Sequence, residues 1–367
     1  MQVAKVGAPD IGGSRGATVT VARGLEPHRV ECERDSSRRW FVWLLGTALV
    51  VGSGCFFLIQ AIGFQRGTSR SGAGGTQAVI PPQYDADRAF AYLVAICDLG
   101  PRPSGSEAMT AQQELLTDFF TQRGGDVSMQ WFPVRHPETG DAVKCGNLIA
   151  SWHPRRPKRF LLCAHYDTRP FPDRDPVNPK GRFVGANDGG SGVAALMELS
   201  NHIDELPADV GIDIVLFDGE ELVFREGRDD YFLGSTHFAE QYVANPPPVG
   251  YQAGVLLDMV GDKELAIYYE RNSWRYAREV TREIFATAKS LGVDAFIPRV
   301  RHEVRDDHLP LNLIARIPTV DLIDFDYPRP GIGAPRYWHT MQDVPENCSG
   351  ESLVTVVYVV HQWLLRQ

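Results

Sequence analysis

The sequence predicts an α/β protein: a single three-layer domain with a mostly parallel twisted sheet flanked by helices, preceded by an N-terminal transmembrane helix. Three observations predict it. From residue 84 onward short apolar runs alternate with segments of helical periodicity. Polar residues follow almost every apolar run, as they do where strands end at the ligand-binding edge of such a sheet. Residues 40–64 form one apolar stretch whose only ionisable side chain is Cys55.

Taken in order, residues 1–39 read as a cytoplasmic tail and residues 40–64 as a membrane span, since about 20 apolar residues cross a bilayer core. Arg29, Arg34, Arg38 and Arg39 precede the span and only Arg66 and Arg70 follow closely, so the basic excess keeps the tail inside and puts the body on the exterior, periplasmic or lumenal side. A signal peptide would have a shorter apolar region nearer the start, and a core helix would show a polar stripe. Residues 65–83, small and polar before a Pro-Pro pair, form a flexible linker. The folded body spans residues 84–367.

Within the body, residues 85–100, 106–124, 191–203, 273–292 and 351–367 carry helical spacing, whereas 160–164, 212–217, 253–258 and 317–325 read as strands. The alternation implies crossover helices on both faces of a parallel sheet. Over the 367 residues, 43% hydrophobic and 23% charged content is that of a globular chain, and a formal charge of −9 argues against nucleic-acid binding. Of the six cysteines, Cys97, Cys145, Cys163 and Cys348 belong to the body. They form no C-x-x-C pair, and Cys163 lies within an apolar run, as a core residue does.

The polar residues at the strand ends carry the chemistry. His165 and Asp167 follow the first strand; Asp218, Glu220 and Glu221 follow the second; Asp258 ends the third. Asp188 lies in the glycine-rich "GANDGGSG", and His339 follows the last strand. Single residues of this kind are usually structural, but clustered buried carboxylates need a compensating cation. Nitrogen and carboxylate donors without thiolates fit zinc, and a catalytic zinc takes three protein ligands; Asp188, Glu221 and His339 make such a set. Adjacent residues project differently, so with Glu221 on the ion Glu220 is free to shuttle protons.

From about Tyr84 onward the chain resembles the zinc-dependent aminopeptidase-like family, whose pattern runs His-x-Asp, Asp in a glycine-rich turn, Glu-Glu, Asp and His. "LLCAHYDT", "FVGANDGGSGVAALMELS", "VLFDGEEL", "VLLDMVGD", "RDDHLPL" and "YWHTMQDVPENC" are most similar to its glutaminyl cyclase branch. The resemblance implies one Zn2+ on Asp188, Glu221 and His339, Glu220 as general base and acid, Asp258 and Asp306 beside it in an acidic network, and Trp338 lining the substrate pocket. The register within "DDH" leaves Asp306 or Asp307 for that role, with Asp306 favoured; the other would cap the following helix, and His308 would be structural. The implied reaction converts the N-terminal glutamine of a peptide to pyroglutamate with release of ammonia: with the side-chain carbonyl polarised by zinc, Glu220 takes a proton from the α-amine and returns it to the leaving amide nitrogen.

The alternative is a dinuclear zinc aminopeptidase. It would use nearly the same residues, with His165 and Asp258 on a second zinc and Asp188 bridging, to hydrolyse N-terminal residues from peptides. Two departures bear on the branch. Animal cyclases carry a pocket tryptophan shortly after Glu-Glu, where "EELVFREGRDDYFLG" has none, and the helix after "GANDGG" lacks the cysteine of their disulfide. A receptor domain that had lost its chemistry would be missing a zinc ligand or Glu220, and none is missing; nor is there a G-x-S-x-G elbow or a phosphate loop.

Overall fold

The computed structural model describes residues 78–327 and 336–367. The expected tail and span, and the linker as far as residue 77, lie outside the described residues. Among the described residues no helix is long and apolar enough to cross a membrane.

Strands β1 (Asp126–Arg135), β2 (Ala142–Trp152), β3 (Lys158–His165), β4 (Val210–Phe217), β5 (Tyr251–Asp258) and β8 (Thr319–Ile323) form one six-stranded sheet in the order β1-β2-β4-β3-β5-β8. β4, β3, β5 and β8 run parallel, whereas β2 is antiparallel to β4 and β1 is antiparallel to β2. The sheet is therefore mixed: four strands form the expected parallel core, and the antiparallel β1–β2 hairpin is added to it. The β1–β2 hairpin escapes the sequence reading because β1 is an edge strand with Phe132 as its one buried residue, and it contains Pro133, which an edge tolerates. β3 and β4 are buried almost throughout, so they read as unbroken apolar runs.

Helices cover both faces. On one lie α1 (Ala86–Asp98), α3 (Gly192–Ser200), α6 (Arg278–Leu291) and α8 (Gly350–Leu364); on the other, α4 (Leu233–Ala244) and α7 (His308–Leu313). Strand alternation divides the core accordingly. Leu162, Ala164, Ile212 and Ile214 join the first face's cluster, and Leu161, Cys163, Val215 and Phe217 pack with Phe238 and Leu311 on the second. Each buried Leu or Val contributes about 1.5–3 kcal/mol. α3 is buried on every side, and it approaches the sheet so closely that a Cβ at Gly192 would stand 2.2 Å from the Leu257 carbonyl oxygen.

Local signals set the helix starts. Asp85 accepts from the Arg88 amide ahead of α1, and Ser106 accepts from the Met109 amide ahead of α2 (Glu107–Gln122). The single helix expected over 273–292 is two: α5 (Arg271–Tyr276) begins on a Glu270 carboxylate cap, and Ala277, at φ −131° and ψ 38°, separates it from α6. A small parallel pair, β6 (Ile267–Tyr269) and β7 (Phe296–Val300), lies outside the main sheet.

β3 is the switch point, with β4 on one side and β5 on the other. The crevice beyond their carboxyl ends is where an open α/β sheet binds ligands, and β3, β4, β5 and β8 all deliver their last residues there.

Candidate metal centre and active site

β3 ends on His165, and Asp167 two residues later clamps the turn after β4: its carboxylate accepts from the backbone amides of Glu220 (3.2 Å) and Glu221 (2.9 Å). Asp218, in the same turn, accepts from the Ser104 hydroxyl at 2.6 Å and the Gly146 amide at 2.8 Å; burial, and then Asp167, pushes its carboxyl up to about 7. The glycine-rich turn Ala186–Ser191 feeds α3 and presents Asp188. Gly189 is required there, because its φ is +88° and a Cβ would meet the Asp167 carbonyl oxygen at 2.6 Å. Asp343 holds the turn from the far side, accepting from the amides of Asn187 (2.7 Å) and Asp188 (3.1 Å).

These elements bring the expected donors together in two groups that share Asp188. Asp188, Glu221 and His339 form one and His165, Asp188 and Asp258 the other, with the donor atoms of each group within 4.8 Å of one another. His339 Nε2 lies 3.1 Å from Glu221 Oε1 and 3.3 Å from Asp188 Oδ2; His165 Nε2 lies 3.1 Å from Asp188 Oδ1 and 3.4 Å from Asp258 Oδ1. His339 has φ +56°, a conformation that non-glycine residues keep mainly where the surroundings enforce it.

The donors fit a divalent cation. Asp188 Oδ2 and Asp258 Oδ1 are buried without a hydrogen-bond partner. Burial works against a charge on either imidazole, yet the surrounding carboxylates raise His165 and take His339 up to about 10. The cup thus favours positive charge, which a metal ion would supply.

Glu220 differs from its neighbour. Burial, and then the Glu221 charge, raise its carboxyl well above the ordinary range, whereas His339 and Arg169 outweigh burial and hold Glu221 well below it. Glu220 faces a cavity of about 300 Å³ that Asp258, Asp306, Phe325 and Trp338 also line. Burial, and then Asp258, push Asp306 up to about 7. Trp338 lies beside His339 with ring centroids 4.0 Å apart and planes tilted by 33°, and carries the Arg174 guanidinium over its face at 4.1 Å.

Asp307 does not cap α7 as expected. It stands at the helix start with no side-chain bond to the first turn, and its carboxylate instead accepts the Ser235 hydroxyl at the start of α4. His308 is fully buried, 3.3 Å from Glu270 and 3.8 Å from Asp321, and none of the three lines the cavity.

The sequence reading missed several residues of the site. Arg169 and Asp173 touch the donors directly: Arg169 Nη1 donates to Glu221 Oε2 at 2.8 Å, and Asp173 Oδ1 lies 3.3 Å from His339 Nδ1. The only available signal was an arginine four residues after His165. Tyr231 and Phe232 line the cavity beyond "EELVFREG", on the side of Glu-Glu where no tryptophan follows. Cys97, Cys145, Cys163 and Cys348 are all buried free thiols.

Residues 147–364 match peptidase family M28. The chain belongs to that family. Among similar proteins, the glutaminyl-peptide cyclotransferase of Bothrops jararaca is 28% identical over 250 residues, covering 60% of this chain and 64% of that one. The chain thus spans less than two thirds of that relative's length. The crystal structure of Fimbriiglobus ruber glutaminyl cyclase is 39% identical, covers 79% of this chain and 97% of that chain, and superposes with a TM-score of 0.73. A leucine aminopeptidase precursor from Bacteroides thetaiotaomicron is 30% identical, covers 79% and 99%, and reaches a TM-score of 0.71. The M28 fold is therefore shared by cyclases and peptidases alike.

Proposed function

We propose that this chain is a glutaminyl-peptide cyclotransferase that converts the N-terminal glutamine of peptides to pyroglutamate and releases ammonia. The observation that carries the reading is a buried Glu220, its carboxyl raised, facing a small aromatic-walled cavity beside the Asp188–Glu221–His339 cup. The 39% identity with the Fimbriiglobus ruber glutaminyl cyclase supports cyclisation in that cavity.

A zinc ion held by Asp188, Glu221 and His339 would supply Lewis-acid polarisation of the glutamine side-chain carbonyl. Glu220 accepts a proton from the substrate's α-amine, whose nitrogen then bonds to the side-chain carbonyl carbon and closes a five-membered ring. The carbon–nitrogen bond to the amide breaks, and Glu220 returns the proton to that nitrogen, which leaves as ammonia. Asp258 and Asp306 face the same cavity, and burial raises both carboxyls, so they can share a proton with Glu220. Trp338, Phe325 and Tyr231 line the cavity and would hold the glutamine so that its own α-amine meets the side-chain carbonyl.

A dinuclear zinc aminopeptidase is the second reading, favoured by one observation: His165 and Asp258 complete an intact second donor group around Asp188. Incubating the zinc-loaded protein with a peptide beginning in Gln and another beginning in Leu separates the two. Loss of one ammonia from the first is the cyclase outcome, and free leucine from the second with no such loss defeats it. In the same reading residues 40–64 tether the catalytic body to a membrane, facing away from the cytoplasm. Recovery of the full chain in the soluble fraction of lysed cells would rule that out.

A further inference from the structure

We propose that Arg169 and Asp173 are positioning residues that close a ring of four side chains with Glu221 and His339, making Glu221 a one-oxygen donor and His339 an Nε2 donor to the metal. The inference rests on the metal reading above and concerns two residues to which that reading gives no role.

Three sides of the ring are hydrogen bonds and the fourth, between Asp173 and His339, is an ion-pair contact. Arg169 Nη1 donates to Glu221 Oε2 at 2.8 Å, and Arg169 Nη2 donates to Asp173 Oδ2 at 3.0 Å. Asp173 Oδ1 lies 3.3 Å from His339 Nδ1, and His339 Nε2 lies 3.1 Å from Glu221 Oε1. Each carboxylate therefore spends one oxygen on the arginine and turns the other to the histidine. With Oε2 occupied, Glu221 has Oε1 alone to offer the cup. With Nδ1 facing Asp173, His339 has Nε2 alone to offer, the arrangement by which an outer carboxylate fixes a ligand histidine's tautomer.

The surrounding backbone serves the same end. The Arg174 amide donates to the His339 carbonyl at 3.1 Å, and the Asp175 carboxylate accepts from the Met341 amide at 2.9 Å. Residues 169–175 thus hold His339 by its side chain, by its own carbonyl and by the backbone two residues further on, contacts that help to enforce its left-handed conformation. Arg169 is 1% exposed, so its charge is committed to these two carboxylates rather than to solvent. A lysine, which is a point charge, would not bridge two carboxylates with fixed geometry as a planar guanidinium does.

The test compares full-chain wild type with Asp173→Asn, Arg169→Met and Arg169→Lys. It uses zinc affinity by chelator competition and the visible spectrum after cobalt(II) replaces zinc. Asp173→Asn is expected to lower zinc affinity about 10- to 100-fold, the usual cost of losing an outer partner of a metal ligand. Arg169→Met frees Glu221 Oε2 to bind alongside Oε1, so the cobalt bands should weaken as the coordination number rises, and Arg169→Lys should fall between. Arg88→Gln, which breaks the remote Arg88–Glu198 pair, should lower thermal stability without changing zinc affinity. Asp173 is 32% exposed and its variant conserves shape, so it decides the matter even if Arg169→Met does not fold. Folded Asp173→Asn and Arg169→Lys proteins with wild-type zinc affinity and cobalt spectra would overturn the inference. A wild-type chain that binds no zinc would overturn the metal reading beneath it.

Discussion

Glu220 and Glu221 are neighbours in the chain with opposite electrostatic surroundings. Glu221 faces His339 and Arg169 and stays ionised; Glu220 faces Glu221 and a desolvated cavity and holds a proton readily. The pair should therefore separate under mutation. Glu220→Gln is expected to lower kcat/KM about 10²- to 10⁴-fold, the span of a lost general base, with one zinc still bound. Glu221→Ala should lose activity and metal together, read by elemental analysis of the same preparations. Substantial turnover in Glu220→Gln would remove that residue from the mechanism. Asp188, Glu220, Glu221, Asp258 and His339 were legible because each follows a core strand or sits in a glycine-rich turn, where a charged side chain is out of place without a ligand. Asp343 was not, because its role is to accept amides 156 and 155 residues away, and no local pattern marks a carboxylate as an acceptor for a remote turn.

At the scale of elements, legibility followed burial. Strands covered on both faces announce themselves as apolar runs, and β3, β4, β5 and β8 were all found. The β1–β2 hairpin alternates weakly at an edge and α4 has mixed faces, so these went unread, while the short α7 was anticipated only as the helix that follows "DDH". The turn Ala186–Ser191 carries the firmest element-scale prediction. A Cβ at Gly189 would collide with the Asp167 carbonyl oxygen and approach His165 Cε1 to 3.1 Å, in a backbone conformation that L residues rarely adopt. Asp167 also fixes the Glu220–Glu221 turn, so any relief of the clash moves both halves of the metal cup. Gly189→Ala should cost about 2 kcal/mol or more in denaturant unfolding and weaken zinc binding as well. Unchanged stability would show that the turn relaxes freely.

Across the whole molecule, the start and the end of the described body are tied through one imidazole. Tyr84, just ahead of α1, shares a 2.7 Å hydrogen bond with His361 Nδ1 on α8, and Gln362 donates to the same hydroxyl at 3.3 Å. His202, at the end of α3, packs against both rings with centroids at 4.6 Å and 5.3 Å. Glu198 and Glu205 outweigh burial and raise His202, whereas burial, and then His202, push His361 down to about 4 from its ordinary 6.5. The cluster holds its proton on His202 and keeps His361 neutral. The unfolded chain protonates residue 361 near pH 6.5 and the folded chain only near pH 4, so between those values the unfolded state binds more protons and stability falls as the pH drops. His361→Gln retains an acceptor for the Tyr84 hydroxyl but has nothing to titrate. Denaturation midpoints of the full chain measured from pH 7 to pH 4 should therefore decline less steeply in His361→Gln than in wild type, and parallel declines would mean that folding leaves the proton affinity of His361 unchanged.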